Sequence, residues 1–234
     1  MLPKVAVSLG QNGIDMEATA INNQGEVVGT AGYLWQNGGT SEIGFPSVGI
    51  NDSGKVVGQE SAPYAPGTPG YTEDLAPEAQ STALHPFLWE SGGSTDLGLI
   101  PGAEYAEVSG ISAAGQVTGW MTPFMSPAGF ENEYSFLWDG NKLVKINALS
   151  GYSVSLAYGL NAHGQVVGKC IRHRGYAHAY CWQNGETLDL NDCIPKHTGW
   201  VLEAAYKINA QGQIIGVGTH SSTHYRAFLL TPQS

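Results

Sequence analysis

The residues best equipped for chemistry in this chain are carboxylates, histidines and aromatic rings, and none falls into a signature that dictates a reaction. Glu104 and Glu107 flank the start of one strand-like segment, and Glu203 and Glu17 hold similar places in two others. Carboxylates so placed serve as general acid and base on a glycosidic bond when suitably spaced; spacing along one chain leaves them equally readable as solvated strand-end acids. His220-x-x-x-His224 offers two imidazoles and His173 a third. Three imidazoles suffice for a metal, but on a hairpin rather than a helix the i, i+4 spacing fixes nothing about how the rings are placed, so no metal is assigned and no cofactor is indicated. Glu104, Glu107, His173 and Glu203 are the catalytic candidates if the protein is an enzyme. Tyr64, Tyr71, Trp120, Arg172, His220 and His224 are the ligand-binding candidates. Rings stack on the apolar face of a sugar while charged and amide groups bind its hydroxyls. Trp120 with Phe124, Met125 and Phe130 would equally make a small core of its own loop. Neither a nucleophile elbow, nor a phosphate loop, nor a dinucleotide fingerprint, nor a Cys-x-x-Cys pair occurs.

The elements that must position these residues are repeats. Ile21 to Gly29 (INNQGEVVG) returns as Ile50–Gly58, Ile111–Gly119, Leu160–Gly168 and Ile208–Gly216. Each copy leads to an aromatic run: Tyr33-Leu34-Trp35, Phe87-Leu88-Trp89, Phe136-Leu137-Trp138, Tyr180-Cys181-Trp182 and Phe228-Leu229-Leu230. Tight-turn residues follow the first four, then a third landmark such as Asp96-Leu97-Gly98 or Asp189-Leu190. A unit is therefore four short strands, A to D. Asn caps the A–B bend with its side chain and Gly takes positive φ, and an Asn-Gly type hairpin joins C to D. Apolar residues recur at period two or in short runs, never at a helical period. Four-stranded units in tandem predict an all-β, five-bladed β-propeller.

The fifth copy ends without a D strand, while Lys4 to Gly10 (KVAVSLG) has the D pattern and no unit of its own. The propeller is thus expected to be closed by the N-terminal strand in the last blade, which would also remove a free sheet edge. One domain fills 1–234, with blades at 16–44, 45–98, 105–147, 154–191 and 202–232 plus 4–10. Trp35, Trp89, Trp138 and Trp182 should hold equivalent buried places between blades. His85 and His178 should bond a neighbouring blade or backbone. Lys207 stands where other copies have Ala20, Gly49, Gly110 and Gly159, as a channel plug paired with an acid or as part of a site.

The pattern A-x-x-I-N-x-x-G-x-V-V-G followed by H-A-F-L-W-x-N-G-x-x-x-D-L-G resembles the HAF-repeat family of extracellular bacterial repeat proteins. His85-Pro86-Phe87-Leu88-Trp89 with Asp96-Leu97-Gly98, and His178-Ala179-Tyr180-Cys181-Trp182 with Asp189-Leu190, carry it best. This chain departs at Ser112 for Asn, at Ala31, Tyr134 and Arg226 for His, and at Leu230 for Trp. The resemblance implies secretion and a propeller-like repeat; it implies no reaction and transfers no catalytic residue.

The formal net charge is −10, and a nucleic acid partner wants clustered Lys and Arg, so none is expected. The charge is uneven: residues 1–117 hold 13 acids and 2 bases, residues 118–234 hold 7 acids and 8 bases. No run approaches the ~20 apolar residues of a membrane helix. Met1-Leu2-Pro3-Lys4 is too short for a signal peptide, so a trimmed or mature form of a secreted, cell-surface or periplasmic protein is expected, as a monomer. Cys170 and Cys181 lie symmetrically about Gly175–Tyr176, the expected tip of a hairpin, and would face each other for a disulfide; the alternative is a buried free thiol at Cys181, which replaces a core leucine.

The A–B and C–D turns are short and uniform and share one end of the molecule. The B–C loops vary from Thr30 alone to residues 59–84, and share the other end with the D–A connections. Variable loops on a rigid scaffold carry function. The expectation is one asymmetric cleft on that face, binding carbohydrate or another small extracellular ligand, or else cleaving a polysaccharide or small ester there.

Overall fold

The computed structural model describes residues 17–63, 73–76, 82–123, 132–172, 175–221 and 224–233. Their regular structure is all β apart from one 3-10 turn at Leu190–Asp192. No helix among them is long and apolar enough to cross a membrane.

The strands fall into consecutive antiparallel units. The first is β1 (Ala18–Ile21), β2 (Val27–Gly29), β3 (Tyr33–Gln36) and β4 (Gly39–Glu42). The second is β5 (Ser47–Ile50), β6 (Val56–Pro63), β7 (Thr82–Glu90) and β8 (Gly93–Asp96). The third is β9 (Ala103–Ile111), β10 (Val117–Pro123), β11 (Tyr134–Trp138) and β12 (Leu143–Ile146). The fourth is β13 (Val154–Leu160), β14 (Val166–Ile171), β15 (Ala177–Gln183) and β16 (Glu186–Asp189). The last is β17 (Trp200–Ile208), β18 (Ile214–His220) and β19 (His224–Leu230). The first strands of successive units, β1, β5, β9, β13 and β17, pack side by side in chain order, as the inner strands of a propeller do. Residues 4–10, expected beside β19, lie outside the described residues. So among the described residues the last unit has three strands, and its pairing with residues 4–10 is untouched by the fold seen here.

One feature departs from separate blades. Leu84 of β7 and Tyr105 of β9 form a parallel bridge that joins the second and third units into one sheet. The four residues of β8 cover only part of the nine-residue β7, and the start of β9 takes up the edge left open.

The repeated turn explains itself in hydrogen bonds. In the second unit the Asn51 side-chain oxygen accepts from the N–H of Ser53 and of Lys55, and Gly54 completes the bend at φ 76°. The amide nitrogen of the same side chain does something the sequence did not announce. Asn22 Nδ2 donates to the Asn51 carbonyl at 3.1 Å, Asn51 Nδ2 to the Ser112 carbonyl at 3.1 Å, and Asn161 Nδ2 to the Asn209 carbonyl at 3.0 Å. Each turn is thereby stapled to the turn of the next unit, at a buried position where an unpaired amide would be costly. Ser112 has no amide to give, and the rung from the third unit to the fourth is missing. The Gln116 side-chain oxygen is left buried without a partner, whereas Gln165 in the same place accepts from Asn161 at 2.7 Å.

The Gly that ends this run is required by a close approach in the second to fifth units. A Cβ on Gly119 would stand 1.9 Å from the Glu107 carbonyl oxygen, and one on Gly168 would stand 2.0 Å from that of Leu156. The two residues before it point to opposite neighbours. Val28, Val57 and Val167 are fully buried against the following unit; Val56, Val117 and Val166 are fully buried against the preceding one.

His85 and His178 do not bond a neighbouring blade. His85 Nδ1 meets Asp96 at 2.8 Å and His178 Nδ1 meets Asp189 at 2.6 Å, tying strand C to strand D within one unit. The third unit substitutes a cation–π contact at the same two positions, with Lys145 Nζ 3.9 Å from the Tyr134 ring centre. The four repeat tryptophans hold equivalent pairing positions, opposite Val27, Val56, Val117 and Val166, and all are largely buried, Trp182 the most completely. Cys170 pairs with His178 and Cys181 with Val167, so the two thiols are out of register and pack in different cores. The hairpin is centred nearer residue 174 than Gly175–Tyr176, because Arg172 N–H closes a tight turn on the Tyr176 carbonyl. All three cysteines are free. Lys207 is exposed and forms no ion pair with another described residue.

Candidate functional site

Each inner strand carries a β-bulge, and the bulge decides where its side chains go. The pairing with the second strand skips Thr19, Val48, Ser109, Tyr158 and Tyr206. In the first and third units the extra residue reaches the next unit. Thr19 Oγ1 donates to the Ser47 carbonyl at 2.7 Å, and Ser109 Oγ to that of Ala157 at 2.6 Å. In the fourth and fifth units the bulge residue is a tyrosine, and the two rings meet at 5.5 Å between centroids, tilted by 39°.

Trp120 extends this pair. It follows the Val-Thr-Gly run of β10, stands opposite Glu107 of β9, and meets Tyr158 edge-on at 6.2 Å. The resulting row of Trp120, Tyr158 and Tyr206 spans three units, with Tyr206 44 % exposed. Charged groups flank it. Tyr105 donates its hydroxyl to Glu107 at 3.3 Å. Lys169 Nζ stands 5.7 Å from the Tyr158 ring centre. Glu133, just before β11, is held above the usual carboxylate range by burial and then by the negative charge of Glu107. Lys169 and a hydrogen bond from Thr122 act the other way. The Tyr105 hydroxyl is pushed up by burial and by Glu107. Two interacting carboxylates, an ammonium and three rings therefore share one neighbourhood, which suits a polar ligand with an apolar face.

The other expected residues do not gather into the same group. Arg172 stands over Tyr176 at 5.0 Å and Tyr152 at 5.9 Å, and Tyr152 in turn packs on His178 at 5.3 Å. His220 packs on Trp200 at 4.9 Å and meets the Thr198 carbonyl at 3.1 Å. Glu104 and Glu203 are half-buried residues at second bulges, one in β9 and one in β17. The backbone of His224 pairs with His220 at the start of β19. Tyr64, Tyr71 and His173 lie outside the described residues. Among the described residues no group of three or more His, Cys, Asp and Glu could hold a metal ion. Of the ten candidates, Glu107 and Trp120 are brought together, while Arg172 and His220 each sit in a group of their own.

No family model matches this chain, and neither does any curated protein. Solved structures do. The β-propeller domain of the Trilobed protease from Pyrococcus furiosus, described as having an open velcro topology, matches with TM-score 0.48 and 13 % identity over 88 % of this chain and 59 % of its own. Pyrococcus horikoshii acylaminoacyl peptidase matches with TM-score 0.46 and 15 % identity, over 93 % of this chain and 32 % of its own. A fungal lectin from Aleuria aurantia, described as a six-bladed β-propeller with a novel fucose recognition mode, matches with TM-score 0.38 and 11 % identity over 89 % and 68 %. This chain thus spans well under two thirds of the length of the first two.

Tyr158 and Tyr206 join the site from inner strands, which loop length does not point to, and Glu133 and Lys169 join it from the margins of two loops, beside β11 and in β14. The sequence did hold a signal. The position two before the repeat Ile or Leu reads Thr19, Val48, Ser109, Tyr158 and Tyr206, so large rings appear only in two neighbouring units. A bulge there is what turns that difference into an asymmetric surface.

Proposed function

We propose that this protein is an extracellular, carbohydrate-binding β-propeller of the HAF-repeat kind, secreted or held at the cell surface or in the periplasm. The row of Trp120, Tyr158 and Tyr206 beside Glu107, Glu133 and Lys169 carries this reading. Stacked rings offer apolar faces to pyranose C–H groups, and the flanking charges offer acceptors and donors to hydroxyls. The site is built once, because only two of the bulges hold tyrosine, so one ligand per chain is expected. A glycan array with the intact protein, repeated with Trp120→Ala, tests it: binding that Trp120→Ala weakens supports the reading, and no glycan retained by the intact protein overturns it.

The same proposal includes a five-bladed ring closed by residues 4–10 as the outer strand of the last blade. Its support is the unfinished surface at both ends of the described chain. Ile215 is 49 % and Leu229 61 % exposed, where their counterparts Val57 and Leu88 are 0 % and 5 %. Ile21 is 68 % exposed where Ile50 is 9 %. The Asn209 side chain, alone among the repeat asparagines of the described residues, bonds only within its own turn. A groove of about 310 Å³ lined by Ile194, Pro195, Leu229 and Leu230 runs beside β19, where the D pattern of Val5, Val7 and Leu9 would place apolar side chains. Deleting residues 1–10 should lower the melting temperature, and an unchanged melting curve would remove this part of the proposal.

One observation favours a second reading, cleavage of the bound sugar. Glu133 is held above the usual carboxylate range beside Glu107, and a pair of carboxyl groups of which one is raised is how a glycosidase divides acid and base roles. Release of reducing ends from a polysaccharide panel, lost in Glu133→Gln, decides between binding and cleavage.

A further inference from the structure

We infer that the ligand of the Trp120–Tyr158–Tyr206 row is an amino sugar carrying a free, protonated amine, bound with that amine toward Glu107; this rests on the carbohydrate reading above. The neighbourhood already holds one ammonium in the manner required. Lys169 Nζ stands over the Tyr158 ring at 5.7 Å, within the range in which an aromatic face attracts a cation, and close enough to Glu133 to stabilise its charged form. Lys169 therefore answers one of the two carboxylates. Glu107 has no such partner: it accepts a hydrogen bond from the Tyr105 hydroxyl at 3.3 Å and forms no ion pair with another described residue. Its charge pushes both of its neighbours, Glu133 and Tyr105, toward their protonated forms. A half-buried carboxylate that raises two neutralisable neighbours and forms no ion pair with a described residue is a place where a second ammonium gains most.

Its position relative to the rings fits a sugar rather than a simple amine. Trp120 stands directly across the strand pair from Glu107, so a pyranose lying along the row brings a ring substituent beside the carboxylate. A neutral sugar would leave Glu107 hydrogen-bonded but its charge uncompensated, and a uronic acid would add a third negative charge beside two.

Calorimetric titration of the intact protein with a glucosamine hexamer, its fully N-acetylated counterpart and a galacturonic acid hexamer tests this at one pH. Expected is a preference of about tenfold for the free amine over the acetamide, the size of one well-placed charge pair, with the uronic acid bound weakest. Glu107→Gln should erase that preference by weakening the free-amine hexamer more than the acetylated one, and Trp120→Ala should weaken both. Equal or tighter binding of the acetylated or uronic oligomer, or a preference that survives in Glu107→Gln, overturns the inference and leaves the carbohydrate reading standing. Failure of every glycan, on the array as in the calorimeter, overturns both.

Discussion

Replacing Ser112 by asparagine should stabilise the protein. The turn at Ser112 has the same backbone as its counterparts: Ser112 N–H meets the Gln116 carbonyl at 2.8 Å and Gly115 N–H meets the Ser112 carbonyl at 2.9 Å, against 3.0 and 3.0 Å at Asn51. Only the side chain differs. An asparagine placed like Asn161 would donate to the Gln116 side-chain oxygen and to the carbonyl of the next turn, Asn161. That adds two hydrogen bonds and gives the buried Gln116 oxygen the partner it lacks. At about 1–1.5 kcal/mol net per bond, the upper part of the usual range because one acceptor is a buried oxygen now without a partner, less about 1 kcal/mol for ordering a longer side chain, the gain is about 1–2 kcal/mol. For a domain of this size it corresponds to a rise of about 2–8 °C in melting temperature. Thermal unfolding followed by circular dichroism measures it, with Asn161→Ser as the reverse change and a fall of similar size expected. An unchanged or lower melting temperature for Ser112→Asn, at native far-ultraviolet spectrum, would refute the idea that turn-to-turn amide bonds join the units.

Three further predictions follow from packing and burial. Gly119→Ala should cost several kcal/mol or prevent folding, since its Cβ would fall 1.9 Å from the Glu107 carbonyl oxygen; a variant as stable as the parent by urea denaturation would contradict the repeat geometry. In native protein only exposed Cys193 should react quickly with a thiol reagent at neutral pH, because burial pushes Cys170 up to about 12 and Cys181 up to about 11; mass spectrometry of a timed labelling reaction counts the adducts, and two or three fast ones would overturn the assignment. Burial and Glu107 raise Glu133 above the usual 4.5 of a free side chain, so the folded state holds that proton more tightly than the unfolded chain. The stability it contributes is present below about pH 4.5 and is lost as pH rises through the higher folded value. The difference in melting temperature between the parent and Glu133→Gln should therefore shift in favour of Glu133→Gln as pH climbs through that range, and a pH-independent difference would contradict it.

The turns and strands were legible because their requirements are local. An Asn that caps a bend and a Gly at positive φ leave a mark in the nine-residue pattern whatever surrounds them. The His–Asp ties within units were half visible: His85 and Asp96 recur together at His178 and Asp189, but the sequence does not say whether such a pair joins two strands of one unit or two units. The Asn staples were not visible, because one side chain performs both tasks and the capping role alone accounts for it. The disulfide expectation failed on a three-residue error in hairpin register, which a loop of five residues does not announce. For the site, Trp120 and Glu107 were named from loop position, yet Tyr158 and Tyr206 are aimed by bulges, and a bulge is set by pairing between strands rather than by either strand alone. Arg172 and His220 went elsewhere because each found an aromatic neighbour on its own unit, Tyr176 and Trp200.

The most direct test of the central claim is to watch the six indole N–H resonances while a retained glycan is titrated in. Trp35, Trp89, Trp120, Trp138, Trp182 and Trp200 are distinguishable by single Trp→Phe substitutions. The account predicts that Trp120 shifts in proportion to occupancy while Trp35, Trp89 and Trp138 stay in place. Shifts confined to Trp35, Trp89 or Trp200, with Trp120 unmoved at saturation, would show that the ligand sits elsewhere and that the row of Trp120, Tyr158 and Tyr206 is packing alone.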